Sequence, residues 1–161
     1  MTIIYLSLGS NIGNRKRNLE KALTELNEKN IKEIKISSLY ETEPVGPKQR
    51  NFYNIAGKFK TNFKPQDLLK VLKQIEEKLG RTKTYKWGPR VIDIDILFYG
   101  KQVVKSKKLI IPHKEMVNRS FVLIPMNEIA PNIVHPIYRK TIKRIFNKFK
   151  DKASLQYIEK I

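Results

Sequence analysis

Two aspartates stand in a strongly β-prone run, residues 91–99, which reads Val-Ile-Asp-Ile-Asp-Ile-Leu-Phe-Tyr. Alternate residues of a strand share a face, so the pattern predicts that Asp93 and Asp95 are neighbours whose Cα atoms lie about 6 to 7 Å apart. Two carboxylates at that spacing can converge on hard divalent cations, which suit phosphoryl chemistry. Strict alternation predicts that the two faces of this strand carry different residues. One face would carry Val91, Asp93, Asp95, Leu97 and Tyr99, and the other Ile92, Ile94, Ile96 and Phe98.

The alternative for the aspartate pair is a half-buried strand whose polar face is simply solvated. The apolar residues predicted beside the carboxylates weaken that alternative, because desolvation and mutual repulsion would penalise both charges unless a cation offset them. From the residues alone, a metal site and a solvated face both remain open.

A basic segment, residues 80–90, precedes the aspartates and contains the only tryptophan, Trp87. Arg81, Lys83 and Arg90 on such a connection could bring positive charge to the phosphates of a nucleotide. The Gly-Ser-Asn-Ile-Gly-Asn segment at residues 9–14 lacks the lysine and hydroxyl of a phosphate-binding loop, so it is interpreted as a strand-to-helix turn. The phosphates would therefore be held by side chains. The alternative interpretation of this basic segment is an exposed loop whose lysines are solvated by water.

Hydrophobic periodicity predicts the elements that must position these residues. Strands are predicted at Thr2 to Leu8, around 34–40, at Phe52 to Thr61 and at 91–99; helices begin at Arg15, with Asn14 as N-cap, and near Pro65, ending before Gly80. This order is typical of the ferredoxin-like split βαβ fold. Short elements around several prolines, a helix carrying Ile142 and Phe146, and a final strand at Leu155 to Ile158 should follow. The fold class is thus α+β, a βαββαβ antiparallel sheet with packed helices, C-terminal helices and a short extra strand.

Composition narrows the class of protein. A chain of 161 residues suits a single domain, 1–161, and the absence of cysteine excludes thiolate chemistry. No secretory signal or membrane-spanning run is evident, so a cytoplasmic protein is expected. The net charge of +18 suggests a nucleic-acid partner. The lysines are scattered rather than gathered in a stripe, however, and this favours a solvated basic surface.

Several motifs together resemble the 6-hydroxymethyl-7,8-dihydropterin pyrophosphokinase family over almost the whole chain. The motifs are Leu8-Gly-Ser-Asn, Tyr40-Glu-Thr-Glu-Pro-Val-Gly, Phe52-Tyr-Asn54, Ile75-Glu76 with Gly80-Arg81, Trp87-Gly-Pro-Arg-Val-Ile-Asp-Ile-Asp-Ile-Leu, and Pro112-His113 with Asn118-Arg119-Ser-Phe121. The resemblance implies an enzyme of folate biosynthesis that transfers the β,γ-diphosphate of ATP to the pterin hydroxymethyl oxygen and releases AMP. It also implies a monomer with no nucleic-acid or membrane partner.

The same resemblance assigns residues to each subsite. Asp93 and Asp95 would hold two Mg ions and, with Arg81 and Arg90, form the catalytic set. ATP would be bound by Glu76, Lys83, Trp87, Arg90, Ile96, Lys108, His113 and Arg119. The pterin would be bound by Thr42, Pro44, Val45, Phe52, Asn54, Asp93 and Phe121, the two phenylalanines stacking on its faces and Asn54 pairing with its edge.

Three positions depart from the family pattern. Phe52 stands where a tyrosine is common, Lys83 where a second loop arginine occurs, and Lys114 where an aromatic residue follows the histidine. Lysine lacks the bidentate geometry of arginine, so Lys83 would orient phosphates less well.

The alternative function is a basic ferredoxin-like RNA-binding module, which would stack bases on its sheet. The aromatic signature of such modules is missing, and Asp93 and Asp95 would repel phosphates.

Overall fold

The computed structural model describes residues 1–44, 46–80, 88–149 and 155–161. Its strands are β1 (Thr2–Ser10), β2 (Lys32–Ile36), β3 (Ser38–Thr42), β4 (Phe52–Thr61), β5 (Asp93–Tyr99), β6 (Val104–Lys105), β7 (Ile110–Ile111) and β8 (Leu155–Lys160). Its helices are α1 (Arg15–Glu28), α2 (Pro65–Lys78), α3 (Ser120–Ile129) and α4 (Ile142–Lys148). Among these helices, none combines the length and apolar character that crossing a bilayer requires.

The main sheet has the strand order β5-β1-β4-β3-β8, with β2 also paired to β4, and its pairings are antiparallel. The predicted ferredoxin-like arrangement is confirmed, with β1 and β4 at the centre. Helices α1 and α2 cover one face through an apolar cluster that includes Leu6, Leu19 and Leu72. Helix α3 contributes Val122 and Met126 to a second cluster on the other face. The middle of the sheet is therefore buried on both sides.

Local signals in the sequence explain both helices of the βαββαβ core. The Asn14 side chain accepts a hydrogen bond from the Arg17 backbone N–H at 3.0 Å, so the predicted N-cap of α1 is confirmed. Pro65 occupies the first position of α2, where its missing N–H costs nothing. Gly80 follows α2 with a φ of +101°, a left-handed conformation that glycine adopts without strain.

The second predicted strand is interrupted. Ser37 separates β2 from β3, and its hydroxyl accepts from the Ala56 backbone N–H at 2.9 Å while donating to the Ser38 carbonyl at 2.8 Å. Ser37 also donates its own N–H to the Ala56 carbonyl. The serine side chain thus replaces part of the regular strand pairing, which alternation of apolar residues could not reveal.

The face assignment for the aspartate strand was wrong at its C-terminal end. The register between β1 and β5 shifts between Tyr5 and Leu6, where Tyr5 faces Phe98 and Leu6 faces Ile96. A bulge of this kind inserts one residue and reverses the alternation beyond it. Phe98 consequently joins Leu97 in the cluster beneath α3, whereas Tyr99 packs in the opposite cluster. The strand also begins at Asp93 and not at Val91.

Helix α3 was not predicted, because Pro125 lies inside it. A proline in a helix interior removes one backbone hydrogen bond and costs roughly 3 kcal/mol. Four apolar side chains of this helix, together with the proline, are buried: Val122, Leu123, Met126 and Ile129. Each such side chain contributes about 1.5 to 3 kcal/mol on burial, so packing outweighs the cost of the proline.

Candidate active site

One row of residues crosses three adjacent strands of the sheet, β5, β1 and β4. Gly9 of β1 pairs with Asn54 of β4 on one side and with Asp93 of β5 on the other. Two residues earlier in β1, Ser7 pairs with Asp95. Directly paired residues of antiparallel strands project to the same face. The register of β1 with its two neighbours therefore brings Asn54, Asp93 and Asp95 together, although 38 residues or more separate the amide from the carboxylates in the sequence.

This face of the sheet forms the floor of a cavity of about 280 Å³. Nine of the sequence-predicted site residues line it: Thr42, Phe52, Asn54, Arg90, Asp93, Asp95, His113, Arg119 and Phe121. The two aspartates are half-buried. These predicted residues bring together two aromatic rings, a buried amide, two carboxylates, two guanidinium groups and an imidazole.

Asn54 is held in a fixed orientation in the lining of the cavity. Its side chain is 4% exposed, and its Nδ2 donates to Thr42 Oγ1 at 2.8 Å. The amide oxygen lies on the side of Gly9, whose missing side chain leaves the space that this oxygen occupies. Phe52 and Phe121 are both half-buried and line the same cavity. Flat apolar faces with one fixed amide are suited to a planar polar heterocycle.

An imidazole and a guanidinium group lie near the carboxylates in the same cavity, those of His113 and Arg119. His113 Nε2 lies 3.9 Å from Asp95 Oδ2, and its Nδ1 accepts a hydrogen bond from the Glu115 backbone N–H at 3.1 Å. Burial lowers the pKa of His113, and the nearby Arg119 guanidinium lowers it further. The imidazole is therefore neutral near pH 7, with its proton on Nε2, the nitrogen that faces Asp95.

Other predicted residues lie elsewhere. Glu76 is 4% exposed in α2, and its Oε2 accepts from the Ile94 backbone N–H at 2.8 Å, which ties the helix to the strand between the two aspartates. Ile96 belongs to the core beneath α1 and α2. Lys108 is exposed in the turn between β6 and β7, and Pro44 is half-buried beside the cavity without lining it. The predictions for Val45, Arg81, Lys83 and Trp87 fall outside the described residues.

The cavity also includes residues that the sequence analysis did not assign to the site. These are Ser7, Gly9, Glu43 and Gly88. Strand alternation places Ser7 on the same face as Gly9, so a signal for it was present in the sequence. Gly9 and Gly88 belong to motifs that were quoted for the resemblance, but a glycine carries no functional group to mark it.

The carboxylates fit a cation that is shared with a substrate. Asp93 and Asp95 supply hard oxygen donors from one strand face, and Mg²⁺ is commonly bound by one or two carboxylates together with phosphate oxygens. Within residues 1–44, 46–80, 88–149 and 155–161, no group of three or more His, Asp or Glu side chains is arranged to hold a metal ion. Asp93 and Asp95 are the two cavity-lining carboxylates that share the floor of the cavity, and Glu43 is a third acidic residue of its lining.

The groups that line this cavity suit phosphoryl transfer, and the sheet that carries them is ferredoxin-like. Comparisons with known proteins identify the class more closely. Residues 5–131 match the family model described as 7,8-dihydro-6-hydroxymethylpterin-pyrophosphokinase. The chain belongs to this family, so the prediction of a pyrophosphokinase of folate biosynthesis is confirmed. The alternative, an RNA-binding module, gains no support from the relatives.

Relatives of very different lengths share this domain. A 2-amino-4-hydroxy-6-hydroxymethyldihydropteridine pyrophosphokinase of Aquifex aeolicus is 46% identical over 145 residues, 89% of each chain. The folic acid synthesis protein fol1 of Pneumocystis carinii is 44% identical over 149 residues, 92% of this chain but 20% of that protein. A crystal structure of Plasmodium falciparum HPPK-DHPS superposes with a TM-score of 0.72 at 22% identity, covering 92% of this chain and 43% of the other. The latter similarity concerns the fold alone.

Proposed function

We propose that this protein transfers the β,γ-diphosphate of ATP to the hydroxymethyl oxygen of 6-hydroxymethyl-7,8-dihydropterin. The hydroxymethyl oxygen attacks the β-phosphorus and loses its proton, the bond from the β-phosphorus to the α,β-bridging oxygen breaks, and AMP leaves with that oxygen. The observation that supports this reaction most directly is the row Asn54, Gly9 and Asp93, which sets a heterocycle-binding amide and a carboxylate on the two strands that flank β1. An acceptor and a triphosphate can then meet in one cavity.

The pterin end owes its specificity to a fixed amide between aromatic rings. Asn54 cannot rotate freely, because Thr42 holds its Nδ2 and the surrounding sheet buries it. An amide held in this way pairs with one edge of the heterocycle and leaves an unpaired polar group if that edge is changed. Phe52 and Phe121 then bury the two faces of the ring.

The triphosphate end uses fixed positive charge and a neutral donor. Arg90 and Arg119 line the cavity beside the carboxylates and would bind nonbridging phosphate oxygens. His113 would donate its Nε2 proton to a phosphate oxygen, because its Nδ1 is already an acceptor for a backbone N–H. Groups that are already oriented before reaction stabilise developing charge without reorganisation.

Asp93 and Asp95 are the residues that would hold two Mg ions together with ATP. When bound, the metal supplies charge neutralisation and orientation for the transferred group. The carboxylates themselves keep the phosphate end of the cavity from becoming purely cationic, and their strand position fixes how far they stand from Asn54. In this proposal the protein is a single domain that works as a monomer in the cytoplasm. Light scattering of the purified chain would test the oligomeric state.

An assay of AMP formation tests the reaction. Purified protein is incubated with ATP in four combinations, with and without the hydroxymethyl pterin and with and without Mg²⁺. The expected result is that AMP and pterin diphosphate form in equal amounts, and only when the pterin and Mg²⁺ are both present. Formation of ADP instead of AMP, or equal AMP release without the pterin, would contradict the proposed transfer. Turnover after removal of all divalent metal would contradict the role of the two aspartates.

A further inference from the structure

A second cavity, of about 530 Å³, lies next to the candidate active site. It is called the basic groove here, and its walls come from the β6-β7 segment, from the residues around His113 and from the turn that contains His135. His113 lines both cavities, whereas the other residues of the groove do not line the active site. The volume falls within the range of small-molecule sites, about 300 to 1,000 Å³.

Three lysines give the basic groove its charge: Lys105, Lys107 and Lys114. All three are exposed, and none of them forms an ion pair with a residue that the structure describes. Exposed lysines of α1 and α2, by contrast, are paired with glutamates. Within the described part of the chain, the lining contains no acidic residue. The groove is therefore suited to an anionic ligand.

His135 adds a buried hydrogen-bond donor to the groove. Its side chain lines the groove although the residue is 3% exposed, and its Nδ1 accepts from the backbone N–H groups of Ile137 and Tyr138, each at 3.2 Å. Burial lowers the pKa of His135, so the ring is neutral near pH 7 and carries its proton on Nε2. Nε2 bonds to no described residue and is not sealed from solvent, so its N–H is open to the groove.

The surrounding turn holds this imidazole in place without using Nε2. The His135 backbone N–H donates to the Lys140 carbonyl at 2.9 Å, and its carbonyl accepts from the Arg139 N–H at 2.8 Å. The ring packs edge-on against Phe98, with 5.7 Å between ring centroids, and lies 4.6 Å from the Tyr138 ring. The structural needs of the turn are thus met by Nδ1 and by the ring, and the Nε2 donor is left for a ligand.

Exposed apolar side chains complete the groove. Tyr138 is 54% exposed, and Ile137 and Ile110 are exposed to a similar degree. All three line the groove together with the lysines. A bare inorganic anion would make no use of an aromatic ring and two isoleucines, whereas a flat heterocycle can stack on a tyrosine face. The lining therefore matches a ligand with an aromatic body and a phosphate group.

We propose that the basic groove is a second nucleotide site, which binds a nucleoside monophosphate. The lysines and the Nε2 proton of His135 bind the phosphate oxygens, and Tyr138 stacks on the base. AMP belongs to this class of ligand and is also the nucleotide that the proposed reaction releases. The inference goes beyond the proposed function and does not depend on it, because the groove and the active site share only His113.

Calorimetric titration of AMP into protein whose active site is already filled tests the proposal. The active site is saturated with Mg²⁺, a nonhydrolysable ATP analogue and 6-hydroxymethylpterin, an oxidised analogue of the pterin substrate. We expect one molar equivalent of AMP to bind to this saturated protein. Adenosine and inorganic phosphate each lack half of the contacts, so each should bind at least about 10-fold more weakly than AMP.

Three variants locate the bound AMP. His135→Asn keeps an acceptor for the two backbone N–H groups but removes the donor that reaches the groove, so AMP should bind about 10-fold more weakly or worse. Lys107→Gln removes one phosphate partner from the exposed wall and should also weaken AMP binding. Lys101→Gln is the matched control, since Lys101 is an exposed lysine outside the groove and its replacement should leave AMP binding unchanged. Thermal unfolding of each variant establishes that it is folded.

The outcomes separate the groove from the active site. If AMP does not bind to the saturated protein, or if folded His135→Asn and Lys107→Gln bind it with unchanged affinity, the second site is refuted and the proposed function stands. If inorganic phosphate binds as tightly as AMP, the nucleoside part of the proposal is wrong. If the unsubstituted protein binds neither the pterin nor the ATP analogue, the proposed function fails, and weaker AMP binding in the two groove variants still supports the second site.

Discussion

Gly9 should be a specificity determinant even though it has no side chain. A Cβ added at Gly9 would lie 2.6 Å from Asn54 Oδ1 and 3.5 Å from Phe52 Cδ1, while ordinary contacts begin at 3.4 Å. The three heavy atoms nearest to that Cβ belong to Asn54 and Phe52, on the pterin side. In Gly9→Ala the amide oxygen must therefore move by about 0.8 Å to reach normal packing distance.

The magnitude follows from what that displacement breaks. The bond from Asn54 Nδ2 to Thr42 Oγ1 is 2.8 Å long, and a shift of this size carries it to the limit of hydrogen bonding. Loss of this bond lowers the stability of the variant by about 0.5 to 1.5 kcal/mol, and misalignment of the amide with the heterocycle costs a similar amount of binding free energy. The cost to binding, roughly 0.5 to 1.5 kcal/mol, corresponds to an affinity for the pterin that is about 2- to 13-fold weaker.

Titration of the pterin and of the ATP analogue into Gly9→Ala provides the assay. The dissociation constant of the pterin should rise by the stated factor, whereas that of the nucleotide should change by less than about twofold, a difference of roughly 0.4 kcal/mol. Gly100→Ala is the matched control, since Gly100 has a φ of +53° in the turn that follows β5, so alanine should lower stability without affecting pterin binding.

A double-mutant cycle tests the cause. In the background of Asn54→Ala, where no amide remains to be displaced, Gly9→Ala should add almost nothing to the loss of pterin affinity. Unchanged pterin binding in Gly9→Ala alone, or fully additive losses in the cycle, would refute the argument that Gly9 exists to make room for the amide.

Three other outcomes are expected. Asp95→Asn should lower the rate of AMP formation at least 100-fold, because it weakens the binding of a cation that would stabilise the charge of the transition state by several kcal/mol. Near-normal turnover would contradict the assignment of Asp95 as a metal ligand. Glu76→Ala leaves the Ile94 N–H unpaired and should lower the free energy of unfolding by about 1 to 3 kcal/mol. Glu76→Gln keeps an acceptor oxygen and should lose less stability. Equal losses for the two variants in urea unfolding would contradict the importance of this contact. Burial lowers the pKa of His135, whose Nδ1 accepts from two backbone N–H groups, so stability is full above about pH 6.5 and falls as pH falls below it. His135→Gln should reduce the difference between the urea unfolding midpoints at pH 7.5 and pH 5.5. If that difference is unchanged in the variant, His135 is not the cause of the pH dependence of stability.

Much of the fold was predictable because its signals are local. The N-cap at Asn14, the proline that begins α2 and the bounds of β4 all follow from neighbouring residues. The break at Ser37 and the helix through Pro125 were not predictable in this way. Both depend on bonds or packing against distant strands and helices, and those contacts override the local preference.

The candidate site divides along the same line. The spacing of Asp93 and Asp95 alone predicts that the two carboxylates share a face, because strand geometry has a period of two. The positions of Asn54 and Gly9 relative to them depend on the register of β1 with both of its neighbours, and no pattern within one strand encodes that register.

The sequence by itself determined the types of group available for chemistry, the strand-helix-strand-strand-helix-strand order of the core, and the family. Only the tertiary structure decided which of those groups meet: that Glu76 is buried against β5, that the alternation reverses after Leu97, and that Asn11 joins two distant segments. The physical reason is that composition and periodicity express local preferences, whereas strand register, bulges and buried hydrogen bonds depend on contacts between residues far apart in the chain.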